Sequence, residues 1–414
     1  MPGPAGHSAY CAEGDDLSTI GIALAGGGPL GGIYEIGASV ALAESIVGLD
    51  FNRADIFVGV SSGSLVAAAF ANGITPEKLA RILIDNDTEE LFDPEMLLRP
   101  AFREYFSRAM SVPNLLLSAA QNYLGDPFHH GLFESFQRLS RAIPTGLFDN
   151  GGIDRVMRDL FSRRGRTNDF RKLKRKLFLV ATNLDSGESI AFGSPGHDDV
   201  PISVAVQAST ALPGLFPPVR IGDHYYVDGA LIKTLHASVA LKEGAELVLC
   251  INPLVPFDAE LAARRNAQER QTLNDGGLPV VLSQTFRAII HSRMRVGMDR
   301  YKHQYSNADV VLFEPTRDDA EMFFTNVFSY RDRRRLCEHA YQRTRIDLYR
   351  RRHELKPILE RHGLDLDLVI LKDHRRSLVS AKRQRAGASL NKTTKALDAS
   401  LEELQGWLEK RMLA

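Results

Sequence analysis

Ser61 lies in Gly59-Val60-Ser61-Ser62-Gly63, a stretch that fits G-x-S-x-G. A serine hydroxyl is a weak nucleophile until a base stands beside it and N–H donors await the oxyanion it creates. The spacing suits that task. Flanking glycines let a chain turn sharply from strand to helix and leave the serine Oγ exposed on the turn. The helix N-terminus behind it favours developing negative charge. Upstream, Gly26-Gly27-Gly28-Pro29-Leu30-Gly31 fits G-x-G-x-x-G at Gly26, Gly28 and Gly31. Such a turn can cradle a pyrophosphate or hold an oxyanion. A dinucleotide site demands an acidic residue ending the next strand, about 20 residues on. Here the next strand runs into Ser61 instead. Two glycine turns at successive strand-to-helix junctions therefore favour acyl chemistry, with Ser61 attacking a carbonyl and N–H groups of Gly27, Gly28 and their neighbours receiving the oxyanion. A nucleotide-binding module remains the rival use of the first turn.

The base has several candidates. Among 12 histidines, His129, His130, His224 and His236 are nearest in the chain to this pattern. One acid stands out: "HYYVDGALIKTL" puts Asp228 at the end of a strand, followed by Gly229. In a parallel sheet that is the carboxyl edge on which Ser61 also falls. An aspartate held in a tight turn can take the serine proton directly. Ser62, next to Ser61, is an alternative nucleophile.

The elements that must carry these residues alternate. Strands are expected at 18–25, 54–60, 176–182, 225–228, 246–252 and 308–313. Helices are expected at 31–47, 62–73, from Pro76, at 203–212 and at 285–303; "NLDSGESIAFG" reads as part of a hairpin. This is the pattern of an α/β protein, a three-layer α/β/α sandwich around a mainly parallel sheet. Residues 1–17 read as a disordered tail, and 95–150 as an inserted helical cap with exposed apolar residues. From 331 the chain reads as a charged helical extension, with Leu336, Ala340, Ile346, Leu348 and Leu355 at helical spacing, and with Trp407 in a final amphipathic helix. Domain limits are accordingly set at 1–17, 18–330 and 331–414.

Charge divides along the same line. The 414 residues carry no net charge, but residues 1–330 hold 30 Lys and Arg against 39 Asp and Glu, and residues 331–414 hold 21 against 12. A basic segment behind an acidic body points to an anionic partner or to a solvated helical face. Cys11, Cys250 and Cys337 are too few and too scattered for a disulfide framework or a zinc site. The N-terminus lacks the basic start and apolar core of a signal peptide, Pro2 precludes myristoylation, and no apolar run reaches the roughly 20 residues of a membrane span. The expected setting is cytoplasmic, with any membrane contact peripheral.

At these residues the sequence resembles the patatin-like phospholipase family. The likeness rests on the turn Gly26 to Gly31, the elbow Gly59 to Gly63, "ATNLDSGESIAFG" at 181–193, "ASTALPGLFPPV" at 208–219, and Asp228-Gly229. It covers roughly residues 18–252, with looser agreement to about 315. It implies a lipid acyl-ester hydrolase of phospholipase A or lysophospholipase type, with Ser61 as nucleophile, Asp228 as base, no catalytic histidine, and Gly26, Gly27 and Gly28 as the oxyanion loop. Gly31, Gly59, Gly63 and Gly229 would support the turns. No metal or organic cofactor and no nucleic acid is implied; the expected partner is a lipid or membrane surface, and apart from the resemblance the apolar residues of 95–150 and the basic charge of 331–414 offer it peripheral contacts. Two positions depart from the family pattern. Leu30 stands where an Arg or Lys is usual, which favours a neutral lipid, a thioester or a small ester, and Ala230 follows Gly229 where a second glycine is usual. A lipid-surface scaffold with a silent site is the remaining alternative.

Overall fold

The central strands are apolar on both sides, and successive residues feed two different cores. In the computed structural model, which describes residues 18–85, 145–266, 273–325 and 330–378, Ile22, Leu24, Phe57, Leu177, Leu179, Leu247, Leu249 and Ile251 enter one core. Their neighbours Ala23, Val58, Val60, Phe178, Val180, Val248 and Cys250 enter the other. A period of two with both faces buried is what a covered parallel sheet requires.

The chain runs β1 (Ile20–Leu24), α1 (Gly28–Ser45), β2 (Ile46–Val47), β3 (Ile56–Val60), α2 (Ser62–Ala71), α3 (Pro76–Ala80) and α4 (Gly151–Phe161). It continues with β4 (Lys176–Asn183), β5 (Ser189–Phe192), α5 (Ile202–Ser209), β6 (Val219–Ile221), β7 (His224–Asp228), α6 (Ala237–Lys242) and β8 (Leu247–Ile251). It closes with α7 (Ala259–Asn266), α8 (Gly277–Gln304), β9 (Asp309–Phe313), α9 (Ala320–Phe324), α10 (Tyr330–Arg350), α11 (Arg352–Arg361), β10 (Asp365–Leu366) and α12 (Leu368–Lys372). The sheet order is β6-β7-β4-β3-β1-β8-β9, with β5 also paired to β4. Strands β9, β8, β1, β3 and β4 are parallel; β5, β6 and β7 join antiparallel. This is a three-layer α/β/α sandwich. The chain winds from β1 to β4 in one direction and returns to β8 on the other side of β1, so the order reverses at β1. The crevice at such a reversal, beyond the carboxyl ends of the strands, is where α/β sheets bind ligands.

Three expectations change. First, β7 runs antiparallel to β4, pairing Ala181 with Asp228 and Asn183 with Tyr226. Asp228 therefore reaches the carboxyl edge by entering from outside it, and not by ending a parallel strand there. Second, the chain from 330 to 378 is not a separate extension. Leu336, Cys337, Ala340, Tyr341, Leu348 and Leu355 are buried in the same core as α1. A Cβ at Gly37 would overlap the Cys337 carbonyl, so the bare glycine is what lets α10 lie against α1. The Tyr341 hydroxyl donates to Glu44 of α1 at 2.8 Å, and β10 pairs with β2. Of the five residues expected at helical spacing there, Ile346 is exposed. Third, the basic charge of this segment meets the acidic body: Arg334 pairs with Asp85, Arg335 with Glu321, Arg361 with Asp309 and Arg376 with Glu44. The opposite charges of the two regions are complementary within one chain. The tail 1–17, nearly all of the cap 95–150 and the final helix with Trp407 lie outside the described residues, as does Cys11. Cys250 and Cys337 are buried, and neither is in a disulfide.

Candidate active site

Strand β3 ends at Val60, helix α2 begins at Ser62, and Ser61 makes the whole turn. Its φ of 52° and ψ of −125° are in a region side chains rarely occupy, and Ser61 is the one non-glycine residue with positive φ among the described residues. Such a backbone is strained by about 1–3 kcal/mol and persists only when its surroundings enforce it. The glycines on either side permit it. A Cβ at Gly59 would sit 2.5 Å from the Gly63 carbonyl oxygen, and one at Gly63 would sit 2.6 and 2.7 Å from the carbonyl oxygens of Ala25 and Leu24. The Ser61 N–H donates to Ser209 Oγ at 2.9 Å, and Ser209 Oγ donates to the Val180 carbonyl at 2.6 Å. A buried serine of α5 thus ties the elbow to β4.

Ser61 Oγ donates to Asp228 Oδ2 at 2.6 Å. The other carboxylate oxygen accepts from the Ala230 N–H at 2.8 Å, which fixes the rotation of the group. The Asp228 N–H donates to the Ala211 carbonyl, and its carbonyl accepts from Thr182 Oγ1. Gly229 follows because a Cβ there would strike the Val180 carbonyl. Asp228 is only 2% exposed. Burial pushes its carboxyl up from 3.8 to about 6, against the opposing pull of the Ser61 hydroxyl and the Ala230 N–H. That makes it a stronger base than an exposed aspartate, while still ionised at neutral pH.

The first glycine turn closes over this pair. A Cβ at Gly26 would lie 3.0 Å from Ser61 Cβ and 2.9 Å from Ala230 Cβ. The Gly26 N–H, expected among the oxyanion donors, is already given to the Thr234 carbonyl at 3.2 Å. Gly26 therefore serves close approach, which leaves the N–H groups of Gly27 and Gly28 as the candidate oxyanion donors of this turn. Gly27 and Gly31 pack against Pro253, where a Cβ would come within 2.5 and 2.9 Å of its ring. Gly28 begins α1 with φ of 63°. Leu30 is buried.

The other candidates fall away from the pair. Ser62 faces α1, since a Cβ at Gly31 would lie 3.2 Å from Ser62 Oγ. His224 is at the surface beside Asp185. His236 is buried at the start of α6, where desolvation and the Lys233 charge push its imidazole down to about 3. His129 and His130 lie outside the described residues. Ser209 and Thr234 lie within the quoted stretches at 208–219 and 224–235, but nothing in the sequence assigned either a role.

The molecule is an α/β/α sandwich around a mainly parallel sheet, with a serine elbow, a carboxylate and a glycine turn brought together at its carboxyl edge. More narrowly, the chain belongs to the patatin-like phospholipase family, whose model matches residues 22–241. Over 235 residues it is 28% identical to an uncharacterized NTE family protein of Mycobacterium tuberculosis, covering 56% of this chain and 30% of that protein. Over 217 residues it is 22% identical to a probable lipid hydrolase of Invertebrate iridescent virus 6, covering 52% of this chain and 61% of that one. The chain thus spans less than a third of the length of the mycobacterial relative. Among solved structures it is similar to VipD from Legionella pneumophila, at TM-score 0.35 and 16% identity over 80% of this chain and 66% of that one. It is also similar to the type III effector ExoU, at TM-score 0.34 and 15% identity over 79% and 52%.

Proposed function

We propose that the protein is a serine acyl-ester hydrolase acting on lipids, with Ser61 as nucleophile and Asp228 as the sole base. The observation that carries this reading is the 2.6 Å hydrogen bond from Ser61 Oγ to Asp228 Oδ2 on a turn with positive φ. In the proposed reaction the hydroxyl proton passes to Oδ2 as Oγ bonds to the ester carbonyl carbon. The carbonyl oxygen becomes an oxyanion and takes hydrogen bonds from the N–H groups of Gly27 and Gly28. Collapse of that intermediate breaks the ester bond, and protonated Asp228 returns the proton to the leaving alkoxide. Water then attacks the acyl-enzyme with Asp228 again as base, releasing the fatty acid and Ser61.

Buried Leu30 favours a neutral acyl ester over a substrate whose anionic head group sits at the turn. A panel of phospholipid, acylglycerol and thioester substrates separates these. The primary test is labelling by a fluorophosphonate probe, which forms a stable bond to an activated serine. Wild type should label, and Ser61→Ala and Asp228→Asn should not. Full labelling of Ser61→Ala would show that another serine is the nucleophile, and no labelling of folded wild type supplied with lipid would remove the reading and leave a masked site or the scaffold alternative ahead.

A further inference from the structure

Helix α8 buries one face and leaves an apolar stripe on the opposite one. Its 28 residues span about 42 Å at 1.5 Å per residue, whereas a five-residue strand rises about 17 Å. The C-terminal half covers the sheet, with Met294 and Tyr301 in the core that also holds Val248 and Cys250. The N-terminal half stands beyond the carboxyl edge. Gln284 accepts from the Phe257 N–H at 3.0 Å and donates to its carbonyl at 2.7 Å, and Arg287 donates to the Val255 carbonyl. Both contacts are to the segment leaving β8, whose Pro253 packs on Gly27 and Gly31. This half of the helix is therefore anchored beside the candidate oxyanion turn.

Its outward face carries Leu278, Val281, Leu282, Phe286, Ile289 and Val296, all exposed, Leu278 by 70% and Phe286 by 55%. At 100° per residue these six lie within about 80° of one line, opposite the inward residues Arg287, Met294 and Tyr301. Toward the C-terminus Arg293 and Arg300 fall on the same outward face, both exposed, and Asp299 at the edge of that face pairs with Lys302 at 3.9 Å. Leu231 and Ile232, a few residues past Asp228, are exposed as well. An apolar half followed by a half that adds two arginines suits acyl chains followed by anionic headgroups. A second copy suits it poorly. Antiparallel pairing of two such faces sets apolar residues against arginines, and parallel pairing sets arginines against arginines.

We propose that this face of α8 docks the protein on an anionic lipid bilayer and brings the mouth of the Ser61–Asp228 site to the substrate. The purpose of docking rests on the proposed lipid-hydrolase reading, but the docking is measured separately. The full chain is floated with vesicles of phosphatidylcholine alone and of phosphatidylcholine with phosphatidylglycerol. Mass by light scattering and hydrolysis of a water-soluble short-chain ester are recorded in parallel. Wild type should bind the anionic vesicles, less so as salt rises. Leu282→Asp/Phe286→Asp should lower that binding by about tenfold or more, and Arg293→Glu/Arg300→Glu should lower it on anionic vesicles in particular. Both variants should keep the fold, the mass and the soluble-ester rate of wild type. Failure of wild type to bind, undiminished binding by the double aspartate variant, or a wild-type dimer that this variant splits would each overturn the proposal. Soluble-ester hydrolysis without vesicle binding refutes docking alone; vesicle binding lost in the variants, without ester hydrolysis, supports docking and refutes the hydrolase reading.

Discussion

Asp228→Asn should make the protein inactive and, at neutral pH, more stable. In the folded chain burial raises the Asp228 carboxyl from 3.8 to about 6, so the fold prefers this group protonated. The sign follows from linkage: between those two values the native state holds more proton than the unfolded chain, and stability falls as pH rises. The contribution is fully present below 3.8 and lost once pH passes about 6. At 1.36 kcal/mol per pH unit the whole separation is worth about 3 kcal/mol, and the part that falls between pH 4.5 and 7.5 is about 2 kcal/mol. Asparagine has no charge to desolvate and nearly the same shape. Urea unfolding of wild type and Asp228→Asn across that range isolates the group, because every other titration cancels in the difference. The stability of the variant relative to wild type should climb by about 2 kcal/mol from pH 4.5 to 7.5. A flat difference, or one that moves the other way, would refute the claim that this carboxylate is held ionised against its surroundings.

The same ionisation should govern the rate: kcat/KM on a soluble ester should fall about tenfold per pH unit below about 6, read from a pH–rate profile. Ser209→Ala removes the acceptor for the Ser61 N–H and the donor to Val180 in a fully buried place. It should destabilise the fold by roughly 2 kcal/mol and lower kcat more than it raises KM, measured by denaturation and steady-state kinetics. Gly37→Ala should destabilise the chain by about 1–3 kcal/mol, because α10 must move off α1, and urea unfolding checks it.

The two glycine turns were legible because each needs glycine for a local reason, and local reasons survive in a sequence. The central strands were legible for a similar cause: a run such as Leu247 to Ile251, apolar at every position, suits only a strand covered on both sides. Long-range relations were not. Nothing in "HYYVD" says whether its neighbour runs with it or against it, since strand direction is decided by the connection and not by the strand. The basic charge from 331 onward pointed to solvent or a partner, whereas acidic complements of Arg334, Arg361 and Arg376 lie elsewhere in the chain, at Asp85, Asp309 and Glu44. Helix α8 was expected from 285 but starts at Gly277, with Pro279 in its first turn, where a proline is tolerated.

The direction of β7 also bears on why a carboxylate, and not an imidazole, meets Ser61. A parallel neighbour of β4 would carry its chain past the carboxyl edge and leave a gap above the serine for a side chain from a loop. β7 instead descends onto that edge and stops level with Ala181, one residue beyond the one beside Val60. Its last side chain then arrives already in contact with Ser61, and the turn that follows supplies the Ala230 N–H to hold it. An aspartate fits that space, and a histidine between the two would have to displace β7. The proposed base therefore lacks the near-neutral pKa an imidazole brings. Burial raises that of Asp228 instead, so any substitution that admits water to the carboxylate should move the acid limb of the pH–rate profile below 6 and weaken the base together.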